Sequence, residues 1–185
     1  MSIKQKVRDF VESECKKPTS CYGYEPFTDH FVPVVKYVKQ MAAEMNADKE
    51  ILEIAAWLHD IGSIMRGREN HHLTGAEIAE KKLKELKYPQ DKIEQVKECI
   101  ISHRGSQKIN PKSLEAQILI EADTMSAFDN IAGLFQCALV FEKLSRKEAR
   151  ISVKRKLENK WMQLRFSNSK KLVKPSYDAA MLLLD

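Results

Sequence analysis

The stretch from Asp48 to Gly62, DKEILEIAAWLHDIG, constrains the fold of this chain more than any other. Ile51, Leu52, Ile54, Ala55, Trp57 and Leu58 put apolar groups nearly all round a helix, and such a helix has to run through an interior. Asp48 supplies its N-cap. At the far end it delivers an imidazole, His59, followed directly by a carboxylate, Asp60. A buried pair of that kind is costly without partners, so other segments are expected to bring them.

The rest of the chain supports an all-α fold. Only six glycines and six prolines punctuate 185 residues, and runs of alternating β-branched residues are few. With 43% hydrophobic and 31% charged residues, the composition is that of an ordinary globular domain. No repeat or linker divides it, so one domain spanning 1–185 is expected. No apolar stretch approaches the roughly 18–20 residues a bilayer-spanning helix needs, and MSIKQKVRDF lacks the apolar region of a signal peptide. A cytoplasmic protein without membrane association is therefore expected. Cys15, Cys21, Cys99 and Cys137 form no CxxC pair and are read as free thiols.

Taken in order, Ile3, Val7, Phe10 and Val11 predict a first helix over residues 2–17, followed by a loop from Pro18 to Pro26. Thr28 or Asp29 would cap a second helix with Pro33 in its first turn, placing His30 near its start. After the central helix, 63–72 reads as a polar loop. Thr74 and Glu77 have capping-box spacing and predict a fourth helix through Leu86. Pro89 opens a fifth that buries Ile93, Val96, Ile100 and Ile101 and ends in His103-Arg104 before Gly105. Ser113 caps a sixth, expected to run on through a long apolar stretch deep in the fold. Ser145 and Glu148 form a second box, opening a basic helix that contains Trp161, and a short helix follows Pro175. About eight helices are expected.

Charge is uneven along the chain. The whole carries a formal +5, whereas residues 143–174 hold twelve Lys or Arg against Glu148 and Glu158, a local +10. A basic C-terminal extension over about 143–185 is thereby set off from the remainder. It lacks the interleaved aromatics of a nucleic-acid surface, and a solvated helix face is the plainer meaning.

Taken singly, His30, His103 and Asp123 have plain structural explanations, as a helix-start polar group, a partner of a helix C-terminus and a helix-surface acid. Together with His59-Asp60 they form an ordered set that suits a metal site with positions left for water. His30 in TDHFVPVV, His59-Asp60 in AAWLHDIG and Asp123 in IEADTM resemble the signature of the HD superfamily of metal-dependent phosphohydrolases. His71 in HHLTGAEIA and His103 in CIISHRG match the extra histidines of two-metal members, and the spacing to Gly75-Ala76 favours His71 over His72. The resemblance covers about 28–127.

The resemblance implies an HD-type helical bundle with metal ligands His30, His59, Asp60, His71, His103 and Asp123. Asp60, His71 and His103 are its catalytic candidates, and Asp60 is the candidate bridge between two ions. One or two divalent ions are implied, with Mn, Fe, Mg, Co, Ni and Zn undistinguished. Ser63-Ile64 stand where stringent-response hydrolases carry an acidic pair, and no Gly-Tyr-Pro follows His103-Arg104-Gly105 as in the cyclic-dinucleotide branch. Pro33 stands where the superfamily often has Arg.

The expected reaction is hydrolysis of a phosphate ester in a nucleotide or related small metabolite, with Arg66, Arg68 or Arg104 available for phosphate oxygens. Two alternatives share the ligands: a di-iron oxygenase, and a non-catalytic metal-containing binding module. The expected partner is a small phosphorylated substrate rather than nucleic acid, and a homo-oligomer is left open.

Overall fold

Among the described residues, 1–104 and 110–185 of a computed structural model, every regular element is helical. The chain packs as two compact units, Met1–Ala122 and Asp123–Asp185.

The first unit is built on α3 (Lys49–Leu58), in which every residue from Ile51 to Leu58 is buried. Its start is fixed by Asp48, whose carboxylate accepts from the backbone N–H groups of Glu50 and Ile51, two of the orphan donors at a helix start. The charged member of that buried face, Glu53, is flanked by two cations: Lys4 of α1 (Ile3–Cys15) and Lys39 of α2 (Val32–Met45), each at 3.0 Å. One carboxylate thereby joins three helices. α4 (Ile61–Arg66), α5 (His71–Glu85) and α6 (Gln90–Ser102) complete the packing. Glu50 ties α3 to the start of α6, accepting from Tyr88 at 2.9 Å and Lys92 at 2.8 Å. α7 (Leu114–Ser126) contributes its residues to Ala122.

In the second unit, α8 (Ile131–Gln136), α9 (Arg146–Gln163) and α10 (Ser167–Leu184) follow the end of α7. The Ser145–Glu148 box forms as expected. Trp161 of α9 and Tyr177 of α10 stack at 4.5 Å and 12°, and Phe128 meets both edge-on.

Five local expectations are corrected. Thr28 and Asp29 cap nothing, because the helical run begins earlier and passes through a π-helical turn, Phe27–Phe31, into α2. That wider turn falls where Pro33 lacks an N–H and would crowd an α-helical carbonyl. Thr74 opens no helix: α5 already begins at His71, and the Thr74 hydroxyl bonds back to the carbonyls of Asn70 and His71. Residues 63–66, expected in a loop, belong to α4, whereas the apolar run after Asp123 breaks at 127–130, where Asn130 caps α8. Beyond that break Leu139, Val140 and Phe141 are exposed rather than deep in the fold. Pro175, finally, lies inside α10. Buried Val173 before it and the Trp161–Tyr177 stack after it hold the helix across the defect. Gly105, expected to end α6, lies outside the described residues.

No single helix among the described residues is long and apolar enough to cross a membrane.

Candidate metal centre

The α3 ladder stops at His59, and Asp60 adopts φ −109°, ψ 13° before α4 begins. This bridge region is sparsely populated and typical of residues turned toward a site. The break leaves His59 fully buried, while the Asp60 carboxylate is 26% exposed.

Around that carboxylate stand four histidines from four segments. Oδ2 is 3.4 Å from Nε2 of His30, at the π-helical turn, and 3.9 Å from Nε2 of His59. Oδ1 is 3.3 Å from Nε2 of His71, at the start of α5, and 3.4 Å from Nε2 of His103, at the end of α6. Within each histidine pair the Nε2 atoms are 2.9 Å (His30–His59) and 3.3 Å (His71–His103) apart. Asp60 is thus common to two groups of three donors. Ser63, notable in the sequence only for the acidic pair it replaces, lies one turn on with its hydroxyl 3.4 Å from Oδ1.

Three of the rings are oriented by one device. Nδ1–H of His59, His71 and His103 donates to the carbonyl three residues earlier: Ala56 at 2.8 Å, Arg68 at 2.9 Å and Ile100 at 2.5 Å. For His59 and His103 these are carbonyls of a last helical turn, left without an intrahelical partner. A carbonyl only accepts, so Nδ1 carries a hydrogen, and in the neutral ring Nε2 presents a lone pair inward. The Nε2 atoms of His71 and His103 and Oδ1 of Asp60 are then three acceptors facing one another, an arrangement relieved by a proton or a cation between them.

The spacings suit a metal cation. Donors bound at ~2.0–2.2 Å to one ion lie about 3 Å from each other, and the distances here run from 2.9 to 3.9 Å. The donor set of imidazole nitrogens and a carboxylate is that of first-row divalent ions. Burial pushes the Asp60 carboxyl up, but positive charge and Nε2–H on the rings of His59, His103 and His30, present when a proton is held in the cluster, outweigh it and hold the group well below the usual carboxylate range. Asp60 is therefore an anion at neutral pH.

His72 takes no part in either group. It is buried, with Nδ1 3.4 Å from Nη1 of Arg104. Arg66 faces the exposed Glu77 at 3.4 Å. Asp123 belongs to the second unit, where its carboxylate accepts from Lys160 at 3.0 Å.

One glycine positions the His71 side of the cluster. A Cβ at Gly62 would stand 2.3 Å from the His71 carbonyl oxygen and 2.7 Å from the Gly75 nitrogen. Hydrogen in its place lets α4 meet the first turn of α5 backbone to backbone, which brings His71 to Asp60.

An all-helical protein whose central buried helix ends in a His-Asp doublet shared by two histidine pairs is the class that fold and cluster define. The HD domain family model matches residues 27–127, and the chain belongs to that family. Among solved structures it is similar to a predicted HD superfamily hydrolase from an uncultured Thermotogales bacterium (25% identity, TM-score 0.56, covering 84% of this chain and 85% of that one). A Lactobacillus plantarum protein (17%, TM-score 0.74, 100% and 95%) and Bacillus subtilis YpgQ, crystallised in complex with ADP (18%, TM-score 0.70, 97% and 92%), share the fold. Curated relatives match in part. A Picrophilus torridus tRNA (cytidine(56)-2'-O)-methyltransferase is 27% identical over 68% of this chain, and Cutibacterium acnes ribonuclease Y 36% over 57%. These matches span 39% and 18% of those proteins' lengths.

Proposed function

We propose that the protein is a metal-dependent phosphohydrolase acting on a phosphate ester of a nucleotide or related small metabolite. The observation that carries this reading is the Asp60 carboxylate, with Oδ2 toward His30 and His59 and Oδ1 toward His71 and His103. In this reading His30, His59 and Asp60 would hold one divalent ion, and Asp60, His71 and His103 would hold a second. Ions so held would lower the pKa of a bound water and polarise the phosphoryl oxygens.

The chain's own residues supply the rest. Asp60, ionised by its imidazole neighbours, contributes the negative charge of the cluster. The three carbonyl-anchored rings keep their lone pairs inward without reorganisation, as a preorganised site requires. His59 and His103, 0% and 4% exposed, form the floor, while His30 and Asp60, 25% and 26% exposed, form the open side by which substrate would enter. Arg66, Arg68 and Arg104 are the candidates to receive phosphate oxygens, a geometry that guanidinium matches bidentately. A nucleotide substrate is in keeping with the ADP held by YpgQ, and the cytoplasm is the compartment we assign.

The test is metal analysis of the purified protein together with a screen of phosphorylated metabolites, with and without added Mn²⁺, Mg²⁺ or Co²⁺. Metal-dependent release of inorganic phosphate is expected. Bound iron with oxygen consumption and no phosphate release would replace this reading with oxygenase chemistry. Salt-sensitive nucleic-acid binding without turnover would replace it with a binding module.

A further inference from the structure

The second unit carries an open surface pocket of about 410 Å³ that plays no part in the metal centre. Its walls are Ile131 and Phe135 of α8, Leu139 of the following turn, Leu183 of α10, and two cations, Arg146 and Arg150 of α9. The volume lies within the roughly 300–1,000 Å³ typical of small-molecule sites. Leu139 and Leu183 are 41% and 80% exposed, so the apolar lining continues to the rim.

Arg146 and Arg150 are the charged groups of this lining, and their placement specifies the ligand. Four residues apart, they share one face of α9 on successive turns, a spacing at which like charges repel. Arg150 reaches the main-chain oxygen of Asp185, the last residue of the sequence, at 3.4 Å, while the Asp185 side chain is paired with Lys154. No acidic side chain is paired with Arg146 among the described residues. An apolar concavity with two adjacent guanidiniums on one wall complements a molecule with one anionic head and an aliphatic body. A bare phosphate would leave the apolar wall uncovered, and a two-chain lipid exceeds the volume.

We propose that the second unit binds a single-chain carboxylate amphiphile of medium length, its head between Arg146 and Arg150 and its chain along Ile131, Phe135, Leu139 and Leu183. The site is independent of the metal centre.

Calorimetric titration of the full chain with octanoate, decanoate and dodecanoate below their micellar concentrations tests it. Saturable 1:1 binding is expected, tightening about fourfold per added methylene until the cavity is filled. Decanol should bind at least tenfold more weakly than decanoate, because it forgoes the charge-assisted hydrogen bonds. Arg146→Gln with Arg150→Gln should weaken decanoate by a similar factor; both side chains are exposed, so the helix keeps its packing. Leu183→Glu at the rim should weaken it further. Three results would each overturn the proposal: no saturable heat, equal affinity of decanoate for the double variant, or association only with anionic phospholipid vesicles. So would sedimentation showing a dimer that decanoate does not dissociate, since a second copy would then occupy the cavity.

Discussion

The Nε2 atoms of His71 and His103 stand 3.3 Å apart, although both rings have committed Nδ1–H to a backbone carbonyl. Two lone pairs brought together from α5 and α6, with Asp60 Oδ1 at 3.3 and 3.4 Å, are relieved by positive charge. A divalent ion should therefore stabilise the fold. At a hundredfold excess over its dissociation constant the gain is about 2.7 kcal/mol, or roughly 5–10 °C in Tm for a chain of this size. Differential scanning fluorimetry with Mn²⁺ and with EDTA measures it. In His71→Ala/His103→Ala the shift should shrink, and an unchanged Tm in wild type would count against the cluster as a metal site.

Gly62→Ala should impair the site from outside it. Its Cβ would meet the His71 carbonyl at 2.3 Å, and neither backbone can yield without moving α5. Overpacking of this kind costs about 1–3 kcal/mol. The expected result is a lower urea midpoint together with weaker metal affinity.

Acid should loosen the α5–α6 pair in a defined window. Lys84 and Lys97 both reach Glu80 at 2.6 Å and hold its carboxyl down to about 2, below its ordinary 4.5. A depressed carboxyl contributes stability that is fully present above its unfolded pKa and disappears as pH falls through the folded one. Glu80→Gln should therefore be less stable than wild type at pH 6–7, with the gap closing between about 4.5 and about 2. High salt should narrow the gap at neutral pH, since both partners are near the surface. Urea unfolding across that range reads both effects.

In the second unit, Tyr177→Leu keeps apolar bulk but removes the ring stacked on Trp161 at 4.5 Å. A loss of about 1 kcal/mol is expected, followed through the near-ultraviolet circular dichroism of the aromatic residues. An equal Tm for the variant would show that the stack adds nothing beyond area.

What could be read from the sequence follows the range of each interaction. Asp48 as a cap and Ser145 with Glu148 as a box were legible because both act within three residues, and the bury-all pattern of 51–58 marked α3 as central. The pair Thr74–Glu77 has the same spacing as a true box but falls one turn inside α5, where the hydroxyl has backbone carbonyls to bond instead. Proline misled at 175, where the aromatic stack that holds the helix across it is no local signal; at 33 it stands in the first turn of α2 as expected, and only the π-helical turn before it went unread. The histidines of the cluster were legible as a set of helix-end residues. Their orientation by carbonyls three residues back, and the contact of Gly62 with the start of α5, depend on how segments meet and have no local signature.

The central claim is that Asp60 is shared between two ions, and metal stoichiometry tests it most directly. Titration of chelator-treated protein with Mn²⁺, followed by electron paramagnetic resonance, should give two bound ions per chain for wild type and one for His71→Ala. For Asp60→Ala it should give no tight binding and no phosphate release, with helix content by circular dichroism largely intact. An Asp60→Ala variant that still binds two ions and turns over substrate at the wild-type rate would contradict the account.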